Sequence, residues 1–269
     1  MKLFLGLVMI AMALFFGYRL LTYNEVNNNE ENNIENMVKE ETQQKTLPEI
    51  KIISHATFIL EWADLVVYSD PIGGAQAFEG QRPADVILVT DIHGDHLDPE
   101  TIASLMTENT TLITPQAVAD ELPEDLTAKA RVMANGEVIT EEVYSFTLEA
   151  VPMYNLPEQE LERVYHEKGR GNGYLLERDG VRIYMAGDTA DTPEMRAMNS
   201  IDMAFVPMNL PYTMSVEDAA SGVAAFKPKQ VYPYHYRTPE GLSDVNKFKE
   251  LVSEKAPDVE VVLLDWYPE

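Results

Sequence analysis

Asp85-Val86-Ile87-Leu88-Val89-Thr90 runs directly into Asp91-Ile92-His93-Gly94-Asp95-His96, and this twelve-residue stretch, 85–96, decides how the chain is to be read. Its first half is a short apolar run rich in β-branched residues, the pattern of a buried strand. Its second half places imidazole and carboxylate groups on one tight loop at the strand's end. Zinc, manganese and iron all accept such mixed donors. Gly94 lets the loop turn, so that His93 and the Asp95–His96 pair face two sides of one cavity. Taken alone, the same loop could be a polar surface turn.

Two later segments repeat the arrangement. Val181-Arg182-Ile183-Tyr184-Met185-Ala186 reads as a strand and runs into Gly187-Asp188-Thr189. Gln230-Val231-Tyr232-Pro233-Tyr234 reads as another and runs into His235. Loops beyond the C-terminal ends of neighbouring strands converge on ligand sites. Three endings of this kind point to one shared centre.

Asp-x-His-x-Asp-His, Gly-Asp-Thr and Pro-Tyr-His-Tyr together resemble the metallo-β-lactamase superfamily. The closest match is the branch with ascorbate-6-phosphate lactonase-like and N-acyl-phosphatidylethanolamine phospholipase D-like proteins. Ser54-His55-Ala56-Thr57-Phe58, Pro152-Met153-Tyr154-Asn155, His166 followed by Gly169-Arg170-Gly171-Asn172-Gly173-Tyr174, and Asn209-Leu210-Pro211-Tyr212-Thr213-Met214 fit the same branch. The resemblance spans residues 48–269 and implies an α/β fold, the four-layer αββα sandwich. It also implies two adjacent divalent metal ions, zinc first, with manganese or iron as alternatives. One ion would be held by Asp91, His93 and His166, the other by Asp95, His96 and His235, with Asp188 bridging. The family usually has histidine where this chain has Asp91. A carboxylate there could bind a metal, with a preference shifted toward manganese or iron, or leave the first position weak. The resemblance places His55 near the metals without making it a ligand, in a supporting or substrate-facing position. It puts Tyr154, Asn155, Asn209 and Tyr212 in loops around the pocket.

Two divalent ions side by side supply hydroxide near neutral pH and stabilise a developing oxyanion. Asp95 and Asp188 are the expected catalytic carboxylates. No Gly-x-Ser-x-Gly elbow and no cysteine are present, so hydrolysis by metal-activated water is the expected chemistry. The bond attacked would be an ester, lactone or phosphodiester, in a small-molecule or lipid-like substrate. A metal-binding sensor with little catalysis, made possible by Asp91, is the alternative. A two-iron oxidoreductase would need a further electron-carrying domain for which there is no room.

With 269 residues the chain has space for one large domain. Its 45 acidic and 20 basic residues give a formal net charge of −25, which argues against a nucleic-acid partner. A homo-oligomer is compatible with the resemblance. Residues 1–23 open with Lys2 and an apolar run from Leu3 to Gly17. The run is just long enough for a membrane anchor, or for a cleaved signal with Ala11-Met12-Ala13 as its small-x-small site. Residues 24–47, rich in Asn and Glu, read as a disordered linker. The expected placement is therefore a membrane-anchored protein with its catalytic domain exported, periplasmic or extracellular.

Beyond the linker the pattern predicts strands over 49–54, 57–62, 65–69, 111–114, 143–151, 173–177, 202–207 and 259–264. Asp98-Pro99 opens a helix to Met106, Gln116–Glu121 reads as helical, Ser215-Val216-Glu217-Asp218 is a capping box for a helix to Phe226, and 244–254 is helical. Met203, Met208 and Met214 read as core filler.

Overall fold

A computed structural model describes residues 45–62, 64–159 and 163–267. Strands β1 (Glu49–Ser54), β2 (Thr57–Glu61) and β3 (Val66–Ser69) form an antiparallel meander. Strands β4 (Val86–Leu88), β5 (Thr111–Thr114) and β6 (Ala130–Val132) extend it in parallel, giving a six-stranded sheet in sequence order. The second sheet begins antiparallel with β7 (Val138–Glu141), β8 (Phe146–Met153), β9 (Gly171–Arg178) and β10 (Val181–Met185). It continues in parallel through β11 (Met203–Pro207) and β12 (Gln230–Tyr234). A two-stranded hairpin, β13 (Arg237–Thr238) and β14 (Gly241–Leu242), follows, and β15 (Glu260–Val261) then joins the seven-stranded sheet beside β12.

Period-two alternation sorts the side chains into two cores. Phe58, Leu60, Val67, Val86 and Leu88 point between the sheets and meet Leu148, Ile183, Met185 and Phe205 of the second. Phe58 and Phe205 stack at 4.3 Å between ring centroids. Ile59, Val66, Tyr68 and Ile87, one position along, point the other way. There they pack on Ile102 of α1 (Pro99–Leu105), Val118 of α2 (Gln116–Glu121) and Leu126 of α3 (Glu124–Thr127). After the short α4 (Pro193–Arg196), helices α5 (Val216–Phe226) and α6 (Val245–Lys255) bury Ala219, Val223, Phe226, Phe248 and Val252 against the second sheet. The Phe226 ring meets Tyr184 edge-on at 6.2 Å. Helices, sheet, sheet, helices: this is the four-layer αββα arrangement.

Local signals fix the element ends. Asp98 Oδ1 accepts from the Glu100 and Thr101 amides, both at 3.1 Å, with Pro99 at the first helical position. Ser215 Oγ accepts from the Asp218 amide at 3.0 Å. Such caps are worth about 1 kcal/mol each. Asp179 and Gly180 both adopt positive φ (50° and 72°), as the tight hairpin between β9 and β10 requires.

Three expectations change. Val143, expected in a strand, lies in a turn and is 80 % exposed; β8 starts only at Phe146, after Ser145 at φ 52°. The segment lacks alternation, and Tyr144 is instead turned to donate its hydroxyl hydrogen to Asp85 at 2.8 Å. The closing strand shortens to two residues because the chain leaves the sheet to bury Trp266 and carry Tyr267 back to His55. The expected membrane-anchored, exported placement is withdrawn. It rested on the apolar run within 1–23, which with the linker through residue 44 lies outside the described residues. Among the described residues no helix is long and apolar enough to cross a membrane.

Candidate metal centre

Sequence motifs place the loops, but one buried carboxylate that they do not announce builds the centre. β3 runs directly into Asp70, which is fully buried. Its Oδ1 accepts from the Thr90 amide at 2.7 Å, and its Oδ2 accepts from Thr90 Oγ1 at 2.7 Å and from His96 Nδ1 at 2.8 Å. With Nδ1–H committed to Asp70, His96 presents Nε2 as a free lone pair. A carboxylate behind an imidazole in this way both orients it and raises its basicity.

Nε2 of His96 lies 3.1 Å from Nε2 of His235, and each lies 3.3 Å from Asp188 Oδ1. His166 approaches the same carboxylate from its other oxygen, Nε2 to Oδ2 at 3.2 Å. Its Nδ1 donates to the Tyr212 carbonyl at 3.1 Å, which again turns Nε2 inward. Both His166 Nε2 and Asp188 Oδ1 are buried and lack a hydrogen-bond partner among the described residues. Orphaned buried atoms of this kind cost about 1–3 kcal/mol each unless something satisfies them. Donors on a tetrahedral ion with bonds of about 2.0–2.1 Å stand roughly 3.3 Å apart. The His96–His235–Asp188 triangle has those edges, so the residues present fit a divalent ion.

Electrostatics agree with the geometry. Burial would push the Asp188 carboxyl up, but His235 and His96 outweigh it and hold it well below the usual carboxylate range. Burial likewise disfavours charge on His96, yet Asp188 and Asp70 on either side raise its pKa well above 6.5. The cluster calls for positive charge at this point, a proton or a cation.

Gly187, at φ 63°, makes the turn that delivers Asp188 from β10. A β-carbon at Gly171 would stand 2.9 Å from the Thr90 carbonyl, where β9 crosses beneath the 91–96 loop. The Asn172 amide donates to that same carbonyl at 3.0 Å.

Asp95 faces the pocket, with Oδ2 3.2 Å from His55 Nε2 and 3.3 Å from His235 Nε2. Burial alone would raise its carboxyl, but hydrogen bonds from His235 and His55 keep it strongly lowered and ionised. Burial holds His55 below the ordinary histidine range. Its Nδ1 lies 2.6 Å from the Tyr267 hydroxyl, whose oxygen already accepts from the Tyr236 and Arg237 amides at 3.0 and 3.1 Å. The Tyr267 hydroxyl hydrogen is thus left for His55 Nδ1, and His55 Nε2–H for Asp95.

The structure brings together all seven expected ligands, in three groups: His55–Asp95–His235 and His96–Asp188–His235, which share His235, and Asp91–His93–His166, which stands apart from both in membership. Asn209 and Tyr212 line the pocket. Asn155 acts as a bracket: it donates to the Tyr212 carbonyl at 2.8 Å and accepts from the Tyr165 and His166 amides at 3.0 and 2.9 Å. Tyr154 turns away from the pocket, its hydroxyl donating to Glu194 at 2.9 Å and its ring lying under Lys168. Asp70, Tyr267 and Arg170 had no assigned part. Asp70 was findable, since it ends a strand as Asp91, Asp188 and His235 do. Tyr267 follows a strand that the sequence makes too long, and nothing local marks it.

The fold and the centre together define a class. A family profile described as a beta-lactamase superfamily domain matches residues 49–235. The chain belongs to the metallo-β-lactamase superfamily. Within it, the chain is 30 % identical over 225 residues to a UPF0173 metal-dependent hydrolase of Thermococcus kodakarensis, covering 80 % of this chain and 95 % of that one. A second UPF0173 metal-dependent hydrolase, from Pyrococcus horikoshii, is 32 % identical over 227 residues with the same coverage, 80 % and 95 %. A crystal structure from Parabacteroides distasonis, assigned as a metal-dependent hydrolase, superposes with a TM-score of 0.69 at 35 % identity over 81 % of this chain and 93 % of that one. Igni18, a metallo hydrolase of Ignicoccus hospitalis, shares the fold at a TM-score of 0.68 and 21 % identity, covering 83 % of this chain and 97 % of its own. The protein is accordingly a metal-dependent hydrolase. The comparisons show the superfamily but not the narrower lactonase and phospholipase D branch, and they favour neither the sensor nor the oxidoreductase.

Proposed function

We propose that the protein hydrolyses an ester, lactone or phosphodiester bond in a small anionic substrate, with His96, Asp188 and His235 holding a divalent ion. The observation that carries this reading is the convergence of three imidazole Nε2 atoms on Asp188 within 3.2–3.3 Å. An ion held there supplies a Lewis acid for the bond under attack and lowers the pKa of water. Asp95, ionised and open to the pocket, orients the attacking water through its free lone pairs. His55 and Tyr267 fix the direction of that carboxylate, and Asp70 fixes His96.

The pocket supports the substrate class. Its volume is about 450 Å³, suited to a small molecule. Its only acidic lining residues among those described are Asp95 and Asp188, both within the donor cluster, and its only lysine or arginine side chains are Arg163 and Arg237. The two arginines balance the two carboxylates, so outside the donor cluster the charged lining is positive in a chain of net charge −25. Each guanidinium lies over an aromatic ring, Arg163 over Tyr165 at 4.5 Å and Arg237 over Tyr267 at 4.4 Å. Stacking in this way leaves the donor edge of the guanidinium available to a carboxylate or phosphoryl group.

The test is turnover of activated esters, lactones and phosphodiesters, each with and without an appended carboxylate, by the zinc- or manganese-loaded full chain. Hydrolysis that Asp188→Ala abolishes, and that Arg237→Ala weakens about tenfold or more in KM for the charged compounds only, is expected. An undiminished rate in Asp188→Ala would sink the hydrolytic assignment. Equal KM effects on neutral and charged compounds would sink the substrate class alone.

A further inference from the structure

Asp91 stands where the superfamily carries its first histidine, and its surroundings differ from those of the other carboxylates in the cluster. It is fully buried, with both oxygens engaged. Arg170 Nε donates to Oδ1 at 3.1 Å and Arg170 Nη2 to Oδ2 at 3.0 Å, a two-pronged pairing. His93 Nδ1 lies 2.7 Å from the same Oδ2. Charge-assisted, bidentate pairs of this kind are the strong ones, the more so where one partner is wholly out of water.

Counting lone pairs gives the consequence. Oδ2 is the oxygen that faces the cluster, 3.7 Å from His166 Nε2. A carboxylate oxygen offers two lone-pair sites in its plane. Arg170 takes one, and the His93 ring nitrogen 2.7 Å away crowds the other, so the oxygen best placed to bind an ion is already engaged. The 2.7 Å spacing between His93 Nδ1 and Oδ2 is also short of the roughly 3.3 Å between donors on one tetrahedral ion. A guanidinium cannot give up its proton, so unlike a histidine or lysine it cannot yield the position to a cation by deprotonating.

We propose that Arg170 is the positive charge of the first position: it satisfies Asp91, makes it a positioning residue for His93 rather than a ligand, and limits the centre to one tightly held divalent ion at His96, Asp188 and His235. The inference rests on the hydrolase reading for the second position and departs from the two-ion pattern that the resemblance implies. Removing the arginine should therefore add a metal ion, an effect that a merely structural arginine would not produce.

The experiment is metal content after loading the full chain with zinc and passing it through a weak chelating resin, read by elemental analysis alongside the protein's circular dichroism. Wild type should retain one equivalent, as should Asp91→Asn. Arg170→Gln should rise to two, because Oδ2 regains a lone pair. Asp91→His, which restores a neutral donor that the guanidinium cannot pair with, should also rise to two and decides the matter if Arg170→Gln does not fold. Two equivalents in wild type would overturn the proposal, as would one equivalent in both folded variants. A wild type that retains none fails the hydrolase reading itself, an outcome distinct from either.

Discussion

The Tyr267 hydroxyl lies 2.6 Å from His55 Nδ1, joining residues 212 positions apart in the chain. It sets which ring nitrogen of His55 carries the proton, and hence the direction in which Asp95 is held. Tyr267→Phe frees His55 to take the other tautomer. The expected result is a fall of about tenfold in kcat with KM and bound metal unchanged, since supporting hydrogen bonds of this kind are worth 10- to 100-fold. Loss of metal in that variant would place Tyr267 in the framework rather than behind the reacting groups.

Asp70 governs affinity rather than turnover. Asp70→Asn keeps the shape but removes the charge behind His96, so zinc should bind about 10- to 100-fold more weakly in competition with a chromogenic chelator. An unchanged dissociation constant would show that Thr90, 3.0 Å from the same Nδ1, suffices to orient the imidazole.

The pH dependence of stability has a definite sign. His96 is raised above its ordinary 6.5. Its contribution to the chelator-treated protein is fully present below that value and is lost as pH rises through the folded pKa. The melting temperature of the stripped protein should fall as pH is taken upward from about 6.5. Stabilisation by added zinc should grow over the same interval, because the ion displaces the proton. A stripped protein whose melting temperature climbs throughout would contradict this assignment.

The inter-sheet core can be probed without touching the centre. Phe58→Ala removes a fully buried ring stacked on Phe205 and edge-on to Trp266 at 5.7 Å. A loss of about 3–5 kcal/mol in chemical denaturation is expected. Because Trp266 precedes Tyr267, activity should fall further than bound metal does.

Gly171→Ala tests the crossing of β9 under the ligand loop. Its new methyl would overlap the end of the Met153 side chain, which can rotate, and would stand 2.9 Å from the Thr90 carbonyl, backbone that cannot swing aside. Weaker metal binding is expected, since Thr90 holds Asp70 and Asp70 holds His96. Unaltered affinity would mean that the loop shifts as a unit.

Much of this was legible in order of residues. The strand-then-donor pattern of 85–96 pointed to the loop that carries His93, Asp95 and His96 into the candidate cluster, Ser215 and Asp98 marked helix starts, and Asp179-Gly180 marked a hairpin. What stayed hidden is pairing between distant segments. Nothing near Arg170 indicates that its guanidinium closes on Asp91, 79 positions earlier. Tyr154 was placed near the pocket by its loop, yet the backbone there, held by the Ala190 amide at 2.9 Å, turns the ring outward to Glu194. The boundaries of β8 and β15 were misplaced where apolar residues serve a turn or an exit from the sheet rather than a ladder.

The donors are drawn from both sheets: His96 follows β4, whereas Asp188 and His235 follow β10 and β12. A chain emerging from the ribosome delivers them in that order, N-terminus first. The first sheet is complete at Val132, more than a hundred residues before His235 appears. On the proposed ligand set, the ion therefore cannot be held by all three side chains until β12 and His235 have been made. A product truncated before β12 could dock its early strands, yet would lack His235 and with it one corner of the proposed metal triangle.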